Sequence, residues 1–171
     1  MDHDGTLPTL SGQRLTLRPT REGDVGALVG LLNEPEVHRW WGDNHAAGVR
    51  EQMESEPCWT VLVDDQPVGW LQVHEERDED YPSVAFDIAL GGEASGRGLG
   101  PEALRLAIRH FQERGHHRFT IDPAVDNERA IRAYAAVGFK PVGVLRAYER
   151  APDGSWRDGL LMDLVAEELI D

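Results

Sequence analysis

Apolar and polar positions change period several times along the chain, and each period predicts an element. Residues 13–18 (Gln-Arg-Leu-Thr-Leu-Arg) alternate, as a strand buried on one face does, and Pro19 ends the run. Val25, Ala27, Leu28, Leu31 and Leu32 then recur at helical spacing behind Glu22-Gly23-Asp24. Residues 44–53 suit a second short helix. Residues 59–63 and 68–73 are apolar runs joined by Asp64-Asp65-Gln66-Pro67, which predicts a hairpin. Residues 84–90 (Val-Ala-Phe-Asp-Ile-Ala-Leu) predict a further strand, closed by Gly91-Gly92. A helix is expected from Pro101 to about Arg114, stopped by Gly115, and a strand over 117–121. Another helix, 127–137, ends at Gly138, and two strands near 141–148 and 160–165 flank the turn at Ala151-Pro152-Asp153-Gly154. Helices interleaved with strands predict the α/β (α+β) class. The length, 171 residues, predicts one domain, placed at 13–171 behind an N-terminal tail at 1–12.

One stretch fits no simple period. Ser95-Gly96-Arg97-Gly98-Leu99-Gly100 sets three glycines and an arginine directly before a helical run. Glycine leaves the backbone bare, and a helix start leaves N–H groups without internal partners in a field that favours anions. Together they suit a phosphate. No Gly-Lys-Ser/Thr triplet follows, so a P-loop is excluded. Pro101 stands where a dinucleotide fingerprint needs its third glycine. A plain glycine-rich turn before an ordinary helix suits the loop equally well.

Charge narrows the partners. Seventeen Lys and Arg against 31 Asp and Glu give −14, which argues against nucleic acid and agrees with a cationic substrate or simply with solubility. Glu75, Glu76, Asp78, Glu79 and Asp80 crowd one stretch, readable as a solvated loop or as the rim of a pocket for a polycation. No apolar run is long enough to span a bilayer, so no membrane partner is expected. Met1 to Thr6 lacks the basic and apolar regions of a secretory leader. Cys58 is the single cysteine, so no internal disulfide forms, and a cytoplasmic location is expected. Beside Trp59 it reads as a small buried hydrophobe. His74, His116 and His117 show no metal-ligand spacing, and no metal is expected.

Two signatures stand in order: the glycine loop, and Asn127-Glu128-Arg129-Ala130-Ile131-Arg132-Ala133-Tyr134-Ala135-Ala136-Val137-Gly138-Phe139. Over essentially the whole chain this resembles the GCN5-related N-acetyltransferase (GNAT) superfamily. Gly98 and Gly100 match that family's Q/R-x-x-G-x-G/A loop, with Ser95 departing at the Gln/Arg position. The second signature matches N-x-x-A-I-x-x-Y-x-x-x-G-F throughout. Trp40-Trp41-Gly42, Asp87 and Asp122-Pro123 resemble the aminoglycoside 6′-N-acetyltransferases more narrowly; acyltransferases for siderophore hydroxylamines share much of this layout.

The resemblance implies a central mixed, mostly antiparallel twisted sheet with a splayed parallel strand pair, flanked by helices. It implies acetyl-CoA as cosubstrate, lying between strands 84–90 and 117–121. Backbone groups of Ile88 and Leu90, amides of Arg97, Gly98, Leu99 and Gly100, and Asn127 with Ala130 would hold it. The Arg97 side chain either adds a charged contact or stays solvated. Asn127 is also a good helix cap. Tyr134, seven positions after Asn127, shares its helical face and would serve the leaving thiolate. Asp87, a charge in an apolar strand, would receive an ammonium and take its proton, or orient it as an ion pair; strand alternation also allows it to face solvent. A central-strand amide around residues 88–90 would meet the oxyanion. Asp122 would hold a second amine or hydroxyl, or cap a turn; Trp41 would stack on a sugar or sit in the core.

The expected reaction is acetyl transfer to the 6′-amino group of an aminoglycoside by direct attack in a ternary complex, in a monomer or homodimer. The alternatives are a siderophore hydroxylamine, a lysine-type or other small amine as acceptor, and a non-catalytic acyl-CoA-binding module.

Overall fold

The computed structural model describes residues 7–171; the reading of Met1 to Thr6 lies outside the described residues. Eight strands form one sheet: β1 (Leu10–Ser11), β2 (Thr16–Pro19), β3 (Cys58–Val63), β4 (Gln66–Glu76), β5 (Ser83–Leu90), β6 (Arg118–Ile121), β7 (Lys140–Arg150) and β8 (Trp156–Val165). Their spatial order is β1-β2-β3-β4-β5-β6-β8-β7. Every pairing is antiparallel except β5 with β6. Five helices flank the sheet: α1 (Val25–Leu32), α2 (Pro35–Trp41), α3 (Ala46–Ser55), α4 (Leu99–Glu113) and α5 (Glu128–Val137). Among the described residues no helix is long and apolar enough to cross a membrane.

Strand alternation divides the interior into two cores. On β5, Val84 and Phe86 join Phe111 of α4 and Phe119 of β6. Ala89, on the opposite face, joins Leu28 and Leu32 of α1, Val49 of α3 and Trp70 of β4. A period of two sends neighbours to opposite faces, so Asp87 shares the α1–α3 face with Ala89.

The expected mixed sheet, its parallel pair and its flanking helices are all present. Several boundaries differ from the sequence reading. Leu10 and Ser11, expected in a tail, pair with Leu17 and Thr16. Residues 35–41 form a helix that periodicity did not predict; Pro35 opens it, where its missing N–H costs nothing. α4 starts two residues before Pro101, with Gly98 as its left-handed N-cap (φ 76°). The hairpin turn is built on Asp64 and Asp65, both at positive φ (49° and 60°).

The acidic stretch is not one solvated loop. Glu75 and Glu76 belong to β4. Glu75 is nearly buried, and its carboxylate binds Arg77 and His116 at 2.8 and 2.7 Å. Pairing with those two groups overcomes burial and holds Glu75 below the usual carboxylate range. Cys58 is buried as expected, and burial pushes its thiol up, away from nucleophilic use.

Candidate active site

β5 and β6 pair over only two positions, Val84 with Phe119 and Ala85 with Thr120. Beyond these β5 runs on to Leu90 while β6 stops at Ile121, and a cleft of about 1000 Å³ opens between them. The register decides what β5 offers to it. Gly91 N–H donates to the Val68 carbonyl at 2.8 Å, across the position next to the Gly69–Leu90 pair. Backbone groups in an antiparallel pair turn alternately toward and away from the partner. Ala85, Asp87 and Ala89 therefore turn theirs to β4, while Ile88 and Leu90 turn theirs into the gap.

The glycine loop forms the next wall. Gly96 and Gly98 both stand at φ 76°, in the left-handed region that favours glycine. Arg14 fixes the loop from behind: its guanidinium donates to the carbonyls of Arg97 (2.7 Å) and Gly98 (3.2 Å) and to Glu102 (2.8 Å). With these carbonyls turned to Arg14, the loop keeps its N–H groups for an anion. Pro101 supplies no amide in the first turn of α4, which leaves Gly98, Leu99 and Gly100 to do so. Leu99 is 1% exposed, so its side chain belongs to the core and only its backbone is available. The exposed Arg97 side chain does not line the cleft. Asn127 caps α5, accepting from Ala130 N–H at 3.3 Å, and both residues line the cleft.

Bare glycines, first-turn amides and the open edge of β5 suit a diphosphate followed by an amide-bearing arm. Ile88, Leu90, Ile121 and Ala130 add an apolar wall for that arm. The residues fit acetyl-CoA.

Three acceptor-side residues meet at the floor. Tyr134 is partly buried on α5, edge-on to Phe139 at 6.4 Å. Burial, reinforced by the charges of Asp87 and Asp122, pushes its hydroxyl well above its ordinary range. The phenol is therefore a proton-bearing donor at any ordinary pH. Asp122, just past β6, accepts from the Tyr148 hydroxyl at 2.5 Å. Burial raises its pKa, and the charges of Asp87 and Glu149 add to the rise. Asp87 accepts from His74 Nε2 at 3.1 Å, while His74 Nδ1 pairs with Glu56. The bond to Asp87 and the pairing with Glu56 outweigh burial and raise His74 to about 9. A second cavity of about 570 Å³, lined by His74, Asp87, Asp122, Tyr148 and Glu149, lies on this side. Asp87 and Asp122 line both cavities.

Trp41 also lines the main cleft, tilted against Trp70 at 6.4 Å between centroids. Arg157 of β8 ties α2 to the far end of the sheet. It donates to the carbonyls of Arg39 (2.9 Å) and Trp40 (2.6 Å) and to Glu149 (2.8 Å), and lies over the Trp40 ring at 5.5 Å.

Asp87, Ile88, Leu90, Gly98, Gly100, Asn127, Ala130, Tyr134, Trp41 and Asp122 are thus brought together, whereas the side chains of Arg97 and Leu99 lie outside the cleft. Sequence reasoning missed Arg14, His74, Glu56, Tyr148 and Arg157. None lies within either signature, and each reaches the site across a long sequence separation. Only His74 carried a signal, as a polar residue ending an apolar strand.

The pattern of the acetyltransferase (GNAT) domain family matches residues 14–140. An aminoglycoside N(6′)-acetyltransferase type 1 from Klebsiella pneumoniae is 29% identical, over 87% of this chain and 83% of its own length. The structure of AAC(6′)-Ib in complex with paromomycin and acetyl-CoA is 26% identical, with a TM-score of 0.74 over 91% of this chain and 96% of that one. RimJ of Mycobacterium smegmatis, in complex with CoA-disulfide, shares the fold at TM-score 0.82 and 23% identity, over 96% and 90% of the two chains. With the splayed strand pair, the glycine loop and this match over most of its length, the chain belongs to the GNAT acetyltransferase family, whose acyl donor is acetyl-CoA.

Proposed function

We propose that this chain transfers acetyl to a primary amine of an aminoglycoside, at the 6′-amino position. The observation that carries the reading is the pair of carboxylates, Asp87 and Asp122, set at the parting strands where both charges bear on the Tyr134 hydroxyl. Burial disfavours the ionised form of Asp122 and the charge of Asp87 adds to it, so an incoming polycation would relieve that cost. Twenty-nine per cent identity to a curated aminoglycoside 6′-acetyltransferase over 87% of the chain supports the same acceptor.

Acetyl-CoA supplies a thioester carbonyl for the amine to attack within one ternary complex. Asp87 receives the substrate ammonium and accepts its proton. His74 cannot serve as that base, because it already carries its proton at neutral pH; it orients the Asp87 carboxylate instead. The amide of Ile88 or Leu90, turned into the gap, donates to the developing oxyanion. Tyr134 donates a hydrogen bond to the departing sulfur, and the second proton, which the attacking nitrogen sheds as the tetrahedral intermediate collapses, neutralises that thiolate. The raised pKa of the phenol makes full proton transfer to a thiolate, whose own pKa is about 8.5, unfavourable, so donation without transfer is the role that fits. Asp122 and Tyr148 hold a second amine or hydroxyl, and Trp41 offers an apolar face to a sugar ring.

Purified protein given acetyl-CoA and a panel of aminoglycosides is expected to release free thiol above the hydrolysis background. No turnover with any member of the panel would remove this acceptor. Turnover only with lysine-type amines or hydroxylamines would move the assignment to those.

A further inference from the structure

We infer that Arg129, in the first turn of α5, grips the diphosphate of CoA in place of the Gln or Arg that the family pattern carries at position 95. Ser95 occupies that position here, and its side chain is short and uncharged at neutral pH. The missing side-chain donor is supplied from across the cleft. Arg129 Nη2 lies 2.8 Å from the point a Cβ on Gly96 would occupy, so the guanidinium rests on the bare backbone of the glycine loop. Gly96 stands at φ 76°, a conformation that favours glycine, and the absence of a side chain there leaves room for the guanidinium.

Arg129 differs from the arginines around it. Arg14 is bound to Glu102 and two loop carbonyls, Arg132 faces Glu128 at 3.5 Å, and Arg157 is bound to Glu149. Among the described residues Arg129 has no carboxylate or carbonyl partner. Acidic residues outnumber basic ones 31 to 17 in this chain, so an uncompensated cation beside a row of free amides marks a place for an anion. Arg129 and the three loop glycines Gly96, Gly98 and Gly100 line the same cleft. A guanidinium presents two parallel N–H donors, a geometry that matches two phosphate oxygens.

CoA carries a second phosphate group on its ribose, and the test separates the two. Calorimetric titration of the full chain with CoA and with dephospho-CoA is expected to show Arg129→Ala weakening both by the same factor, about tenfold. The salt dependence of both affinities should become shallower in the variant. Arg129 is exposed, so the variant's thermal unfolding should match that of the parent. Unchanged affinity for both ligands would overturn the inference. So would a loss confined to CoA with dephospho-CoA unaffected, which assigns Arg129 to the ribose phosphate.

Discussion

His74 and Asp87 join neighbouring strands through a bond of 3.1 Å from Nε2 to Oδ2, and the other ring nitrogen of His74 pairs with Glu56. A carboxylate on each side keeps the imidazole protonated up to about pH 9. A raised pKa contributes stability that is fully present below the unfolded value, about 6.5, and is lost as pH rises through the folded one. The His74 imidazole should titrate by NMR with a midpoint near 9, and Asp87→Asn should move that midpoint down toward 6.5. The melting-temperature advantage of the parent over His74→Gln should shrink between pH 6.5 and 9.

Tyr134→Phe removes one hydroxyl from a partly buried ring and leaves the packing against Phe139. If the hydroxyl serves the departing sulfur, kcat falls by roughly 10²-fold while CoA affinity stays within about twofold. Steady-state kinetics with calorimetry on the same variant separate the two effects. An unchanged kcat would remove Tyr134 from the chemistry.

Arg14 is half exposed, so its ion pair with Glu102 adds little stability. Its bonds to the Arg97 and Gly98 carbonyls shape the loop. Arg14→Ala should therefore weaken CoA binding by about three- to tenfold while costing no more than about 1 kcal/mol of stability. Calorimetry and urea unfolding read the two quantities separately.

Gly138 ends α5 at φ 118°, and a Cβ there would collide with the Glu168 carbonyl. Gly138→Ala should destabilise the fold by about 2–4 kcal/mol, combining left-handed strain with overpacking. Denaturant unfolding measures it. The same substitution at Gly23, where nothing lies within 4 Å, is the control expected to be near neutral.

Local pattern determined a large part of this protein. Alternation over 84–90 placed Asp87 and Phe86 on opposite faces of one strand, and the Asn127–Tyr134 spacing placed a cap and a phenol on one helix face. Both depend only on backbone period, which a sequence carries in full. Left-handed glycines marked the loop for the same reason. Periodicity failed at 35–41, where a seven-residue helix is too short to show a repeat. It failed again at Glu75, an acid that a distant histidine and a nearby arginine draw onto a strand.

What tertiary structure alone decided is which strands part and which charges meet. β5 and β6 pair over only two positions, and beyond them Ile88 and Leu90, still paired with β4 on one side, turn their backbone groups into the gap. His74 meets Asp87, Arg14 reaches the glycine loop and Arg157 clasps α2 because the sheet brings together residues 13 to 118 positions apart. Electrostatic partners act through space, and their positions are set only when the whole sheet closes.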